Sequence, residues 1–411
     1  LIYFKSSNTI LIKEVANIAQ NKENQYLKRI EIAENKLAAL EQVKDLKNFE
    51  VFPQTQFLKV NFNEIPLDIN IKERDAYGYK ISSFYIESHV NKLLVSTIDG
   101  QIFYYLLNNL KKSINKPFKL KNNLKNKNIS ITDILVNKEN LFIGYSNLDL
   151  DCGNFFIDQA TIDYEFTDFK NIYSYKPNNN GIKCDAIAGR LSLDQNNNKL
   201  YFSRQVLDKH KAIIDQWGKK LEFKFSGIFN LNLKDKKITQ ISTGHRNPQG
   251  LLVLSNETII STEHGPRGGD EINLIKPNLN YGWPIASYGE NYFDSFNEDN
   301  QYLFLKNHKK YGFQEPIYSF VPSVALSQII FLDNSFSKKW QNNFLISSLK
   351  DSSLYRVKFN EEFSGLTYME RILISKRIRD IIFIKDYNII VLALENNNGS
   401  IGIISNQNIK K

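Results

Sequence analysis

The chain has 411 residues, 42% of them hydrophobic and 24% charged, which is ordinary for a soluble globular protein and long enough for one large all-β domain or two smaller ones. Its formal charge is +9, but the lysines are scattered among asparagines over the whole length. They form no concentrated basic face, which argues against a nucleic-acid partner.

Met369 is the only methionine and the chain opens at Leu1, so the natural N-terminus is expected to lie upstream. The opening Leu1-Ile2-Tyr3-Phe4 reads as the tail of a signal peptide or of a membrane anchor, and four apolar residues do not separate the two. Residues 10 to 49 read as helix. Leu27, Ile30, Ala33, Leu37, Leu40 and Val43 fall on one stripe, with no Gly or Pro, and the heptad breaks at Lys44 and Lys47. This spacing predicts a helix that packs on a domain or spaces it from a membrane, in preference to a partner-binding coiled coil. Pro53 closes the segment, giving an N-terminal helical unit over 1–52 and a second unit over 53–411.

Beyond Pro53 the texture changes to short strands. Related units begin near Asn91, Glu139, Asn198, Glu257, Asn342 and Tyr387, each a polar turn followed by an aliphatic or aromatic run. Short strands between Asn/Asp/Gly turns predict an all-β fold. Recurrence every few tens of residues predicts radial repetition, and six copies predict a six-bladed β-propeller. The Tyr-rich stretch 281–320 between the fourth and fifth units reads as loops over one face, where a site would form. Cys152 and Cys184 have no metal-ligand spacing; they pair in an exported protein, or stand as two unrelated thiols in a cytosolic one.

Chemistry concentrates in "STEHGPRGGDEINLI", residues 261–275. A Gly/Pro turn can aim main-chain carbonyls at one centre, and with nearby carboxylates that suits a hard cation such as Ca²⁺. Alone, the stretch reads equally as a solvated surface turn. It is flanked by "GHRNPQGL" (244–251) and "NYGWP" (280–284), and further on by "SSLKDSSLYRV" (347–357) and "KRIRDI" (376–381). In this order and spacing the motifs resemble the glucose/sorbosone dehydrogenase family over roughly residues 55–405.

The resemblance implies a six-bladed quinoprotein that uses pyrroloquinoline quinone (PQQ) and Ca²⁺ to oxidise a sugar or related alcohol. It implies that Gly265 and Pro266 offer carbonyls to the Ca²⁺ that holds PQQ, and that Asp270, Glu271 and Tyr281 surround a structural calcium. Arg190, Arg246, Asn247, Gln249, Lys350, Arg377 and Arg379 are implied to bind the cofactor. These types suit a ligand with three carboxylates, and on an alternating strand Arg377 and Arg379 face one side. The sequence departs from the family at the base: Gly189, Arg190 and Leu191 match, but the histidine position holds Ala186, whose methyl accepts no proton. Ser203-Arg204 also replaces a family Gly-Asp. Asp185 and His210 are the stand-ins. Two readings follow: a PQQ- and Ca²⁺-dependent dehydrogenase with an impaired base, or a non-catalytic propeller that binds a partner protein. The resemblance also implies an exported protein, periplasmic or anchored to face the periplasm.

Overall fold

The computed structural model describes residues 20, 55, 58–76, 79–110, 116–124, 127–151, 153–177, 189–194, 196, 198–205, 226–290, 304–396 and 398–406. The chain divides into two units, Leu1–Val51 and Phe52–Lys411. The helix expected over residues 10–49 falls in the first unit and, apart from helical Gln20, lies outside the described residues.

In the second unit the strands assemble into six blades. Blade 1 comprises Phe84–His89, Lys92–Thr97, Ile102–Leu106 and Phe118–Leu120; blade 2 comprises Ile129–Asn137, Asn140–Asn147, Phe155–Thr161 and Lys170–Tyr175. Blade 3 is built from Leu191–Leu193, Lys199–Arg204, Gly227–Asn232 and Ile238–Thr243, with Leu279–Asn280 added in parallel at its edge. Blade 4 has Pro248–Val253, Ile259–Glu263, Asp270–Ile275 and Tyr318–Phe320. Blade 5 has Leu326–Leu332, Asn343–Ser348, Ser353–Phe359 and Leu366–Leu373. Blade 6 joins both ends of the unit: Arg377–Ile384, Ile389–Glu395 and Ser400–Asn406 take Val60–Pro66 as their outer strand, with Val60 opposite Asn406 and Pro66 opposite Ser400. That pairing closes the ring with hydrogen bonds between its first and last strands.

Each of the six sequence units coincides with the second strand of a blade. These strands are buried on both faces, as in the fully buried Ile389–Glu395, and so read as continuous apolar runs. Outer strands face solvent on one side and read more weakly; Leu366–Leu373 alternates buried and exposed positions toward its end. Six separate apolar clusters fill the gaps between neighbouring blades, for example Phe84, Val95 and Val391 between blades 1 and 6. Burial of these faces is the main force holding blade to blade.

The innermost strands of blades 2, 4, 5 and 6 each carry an irregularity, at Ile131/Asp133, Pro248/Gly250, Leu326/Ile329 and Ile378/Asp380. A bulge re-aims side chains, and here it delivers polar groups to the axis. Arg190, entering blade 3, is 1% exposed and gathers them. Its Nη1 donates to Asp133 (3.0 Å) and Asp380 (3.1 Å), Nη2 to the Arg379 carbonyl (2.9 Å) and Nε to the Gln249 carbonyl (2.5 Å). Its guanidinium also lies 5.0 Å from the Tyr85 ring centre. One side chain thereby touches blades 1, 2, 4 and 6. Burial works against its charge, but Asp133 and Asp380 outweigh that and hold it protonated. Among the described residues no helix is long and apolar enough to cross a membrane.

Candidate cofactor site

Strand direction places the sequence motifs on one rim. Arg246 and Asn247 precede the inner strand of blade 4, and residues 264–269 join its second and third strands. Lys350 follows the second strand of blade 5, while Arg377 and Arg379 begin the inner strand of blade 6. Starts of first strands and ends of second strands share one face in an antiparallel blade.

The turn at 264–269 is compact because glycine is required in it. A Cβ on Gly265 would stand 2.2 Å from the Gly269 carbonyl oxygen, and Gly269 itself has φ +68°. Asp270 pins the turn. Its carboxylate accepts from Gly265 N (3.0 Å), Ser323 Oγ (2.9 Å), Val324 N (2.8 Å) and Ala325 N (2.5 Å). Asp270 is thus engaged as the anchor of blade 4 to the 323–325 loop, and its oxygens are met by N–H and O–H donors where the resemblance implied a calcium ligand.

Glu271 points elsewhere. With Glu263, Gly265 and Tyr281 it lines a cavity of about 10 Å³, the size of one water or one ion. Asn273 Nδ2 bridges the pair, 2.6 Å from Glu263 Oε1 and 3.2 Å from Glu271 Oε2. Burial, then the Glu263 charge, push the Glu271 carboxyl well above the usual range. His245 Nδ1 lies 3.0 Å from Glu263, and His308 Nε2 lies 3.8 Å from Glu271. The pair suits a divalent cation, since a positive charge there would favour the ionised form of Glu271. The Tyr281 hydroxyl is turned to the backbone, donating to Leu274 O and accepting from Lys276 N (2.9 Å). Among the described residues no group of three His, Cys, Asp or Glu side chains is arranged for a metal, so carbonyl oxygens would have to complete any shell.

The cationic residues gather beside this turn. The Arg246 backbone N–H donates to Glu263 Oε2 (2.9 Å), its Nη1 donates to the His264 carbonyl (3.1 Å), and its guanidinium lies 5.3 Å from the Trp283 ring centre. Gln249 Nε2 donates to Asn247 Oδ1 (2.7 Å), and Gln249 Oε1 accepts from Arg379 Nη1 (3.2 Å). Arg379 and Arg377 meet at Glu395, through Nε at 2.7 Å and 3.2 Å. Lys350 is exposed, and its ammonium has no partner among the described residues. Arg190 is the exception: its donors are turned to the axial network, away from a ligand on the rim.

His264 opens the 264–269 turn. Its imidazole is held down to about 4, by burial first and by Arg246 and Arg379, with Asp270 opposing, so it is neutral near pH 7. Its Nε2 is enclosed and has no hydrogen-bond partner among the described residues. An orphaned acceptor beside two arginines fits a polar ligand seated on the rim. The signal was the histidine preceding Gly265-Pro266. Ala186, Asp185, His210, Cys152 and Cys184 lie outside the described residues.

Six blades with cationic side chains on one rim beside a glycine turn define a β-propeller with a candidate site on one face. Residues 128–403 match the family described as glucose/sorbosone dehydrogenase, and the chain belongs to that family. It is similar to the aldose sugar dehydrogenase YliI of Escherichia coli (strain K12), at 35% identity over 143 residues, 34% of this chain and 37% of that protein. It is also similar to quinoprotein glucose dehydrogenase B of Acinetobacter calcoaceticus, at 29% identity over 202 residues, 37% of this chain and 42% of that one. Each match thus spans less than half of the relative's length. In fold, it resembles the soluble aldose sugar dehydrogenase of Escherichia coli in its apo form (TM-score 0.64, 18% identity, 85% of this chain and 100% of that one). The PQQ-bound aldose sugar dehydrogenase of Streptomyces coelicolor gives a TM-score of 0.57 at 15% identity, over 85% and 98% of the two chains.

Proposed function

We propose that this chain is a PQQ-binding protein of the sugar dehydrogenase type, exported from the cytoplasm, acting on a sugar or related alcohol with its proton-accepting step impaired. The observation that carries the reading is the convergence of Arg246, Lys350, Arg377 and Arg379 on one rim beside the Gly265–Pro266 turn. When bound, PQQ would supply an ortho-quinone able to accept a hydride from a sugar carbon.

Every other task falls to the protein's own groups. Arg377, Lys350 and Arg246 neutralise a polycarboxylate, and Asn247 and Gln249 are preset by their mutual hydrogen bond. Gly265 and Pro266 would hold a Ca²⁺ at the cofactor, with a second cation in the Glu263/Glu271 cavity. Proton acceptance is the weak point, because loss of a general base costs roughly a hundred- to ten-thousand-fold in rate.

A second reading, a non-catalytic propeller that recognises a partner protein, is favoured by Arg204. It replaces a family acid, is 4% exposed, donates to the Tyr173 hydroxyl (3.0 Å) and is sandwiched by Tyr175 (3.8 Å) and Phe229 (4.1 Å). A buried guanidinium there gives that side of the rim different chemistry.

Reconstitution with PQQ and Ca²⁺, followed by dye reduction over a panel of sugars, separates the readings. The dehydrogenase reading expects cofactor uptake with slow turnover, accelerated at least about a hundredfold by Ala186→His. Uptake that Ala186→His leaves without turnover favours the binding module, and absence of uptake removes the cofactor reading altogether.

A further inference from the structure

Glu395 has no part in the reading above, yet the cationic rim is anchored on it. It ends the second strand of blade 6, in register with Arg377, and its side chain is 0% exposed. Oε1 accepts from Arg379 Nε (2.7 Å) and from the Oγ of Ser83, which precedes the first strand of blade 1; Oε2 accepts from Arg377 Nε (3.2 Å). Arg379 is buried and continues to Gln249, whereas the Arg377 side chain is 34% exposed and its terminal nitrogens have no partner among the described residues.

The two guanidinium groups repel one another, and a buried Arg379 without a counter-charge would be strongly destabilising. The enclosed carboxylate removes both problems before a ligand arrives. It also cancels one of the two positive charges that an anionic ligand would use.

We propose that Glu395 is a positioning residue and internal counter-anion: it keeps Arg377 and Arg379 as a preformed pair and, by cancelling one of their two charges, lowers the rim's affinity for polyanionic ligands. This rests on the reading of the rim as the cofactor site. A ligand carrying several carboxylates shares the pair with Glu395. Gln at this position keeps an oxygen to accept from Arg379 Nε while removing the charge. Asp keeps the charge but retreats by one methylene, releasing the longer contact to Arg377.

The test uses the full chain as wild type, Glu395→Gln and Glu395→Asp, measuring thermal unfolding and equilibrium binding of PQQ and, separately, of citrate, a tricarboxylate without a quinone. Without ligand, stability should fall from wild type to Glu395→Asp to Glu395→Gln. Affinity for both probes should rise in the same order, reaching about tenfold in Glu395→Gln for one buried charge removed. The ligand-induced shift in melting temperature should grow with it. If Glu395→Gln does not fold, Glu395→Asp carries the test by the same sign. A wild type that takes up citrate but no PQQ defeats the cofactor reading and leaves this inference standing. Variants that bind citrate no more tightly than wild type overturn it, because a merely structural carboxylate would lower stability without raising affinity.

Discussion

Arg379 Nη1 donates to Gln249 Oε1 across 3.2 Å, joining two residues 130 positions apart, both of them at the irregular starts of inner strands. Through this bond "GHRNPQGL" of blade 4 and "KRIRDI" of blade 6 form one surface. Arg190 lies beneath it, holding the Gln249 and Arg379 carbonyls, so the rim is built directly on the axial ion network.

Arg190→Met should therefore weaken the whole propeller. It leaves Asp133 and Asp380 buried without their counter-charge, a loss on the order of 3–5 kcal/mol. Urea unfolding of the full chain should show the midpoint fall without a new early transition. A change below about 1 kcal/mol would mean that the hub is redundant.

Glu87 stands near Asp133 and Asp380, and its carboxyl is raised from 4.5 to about 8, by burial first and by the two aspartates as lesser causes. A raised carboxyl binds its proton more tightly folded than unfolded. Its stabilising contribution is full below about pH 4.5 and is lost as pH rises through about 8. Glu87→Gln should flatten the decline in stability across that window and be the more stable protein at its upper end. A wild-type profile that rises with pH there, with the variant parallel to it, would contradict the assignment.

Calcium should stabilise the protein through Glu271. Wild type is expected to melt higher with millimolar Ca²⁺ than with a chelator, and Glu271→Gln to lose that difference. The variant should also be the more stable of the two in chelator, because it removes a strained buried carboxyl. Calorimetry with and without Ca²⁺ reads both effects, and an undiminished Ca²⁺ shift in the variant would place the ion elsewhere.

Much of the blade pattern was legible because the second strand of each blade is enclosed on both faces, so it appears as an apolar run such as Ile389–Glu395. The rim residues were legible because they sit in short motifs. The ties between them were not: Arg190 meets Asp133 and Asp380 across 57 and 190 positions, distances no local pattern carries. Regular alternation placed Arg377 and Arg379 on one side; the irregularity at Ile378/Asp380 interrupts that period, and Glu395 brings the two together. Asp270 is implied as a calcium-site residue by the resemblance alone. Three of its four donors come from the 323–325 loop, which nothing in its own segment announces.

The central claim is that the rim holds PQQ by its cations, and direct uptake tests it. Equilibrium dialysis of the full chain against PQQ with Ca²⁺, read by quinone absorbance, should give one cofactor per chain. Uptake should fall at least about tenfold in Lys350→Ala/Arg377→Ala, which removes one exposed and one half-buried charge. Wild type that takes up no PQQ, or a double variant that takes it up equally well, would contradict the account.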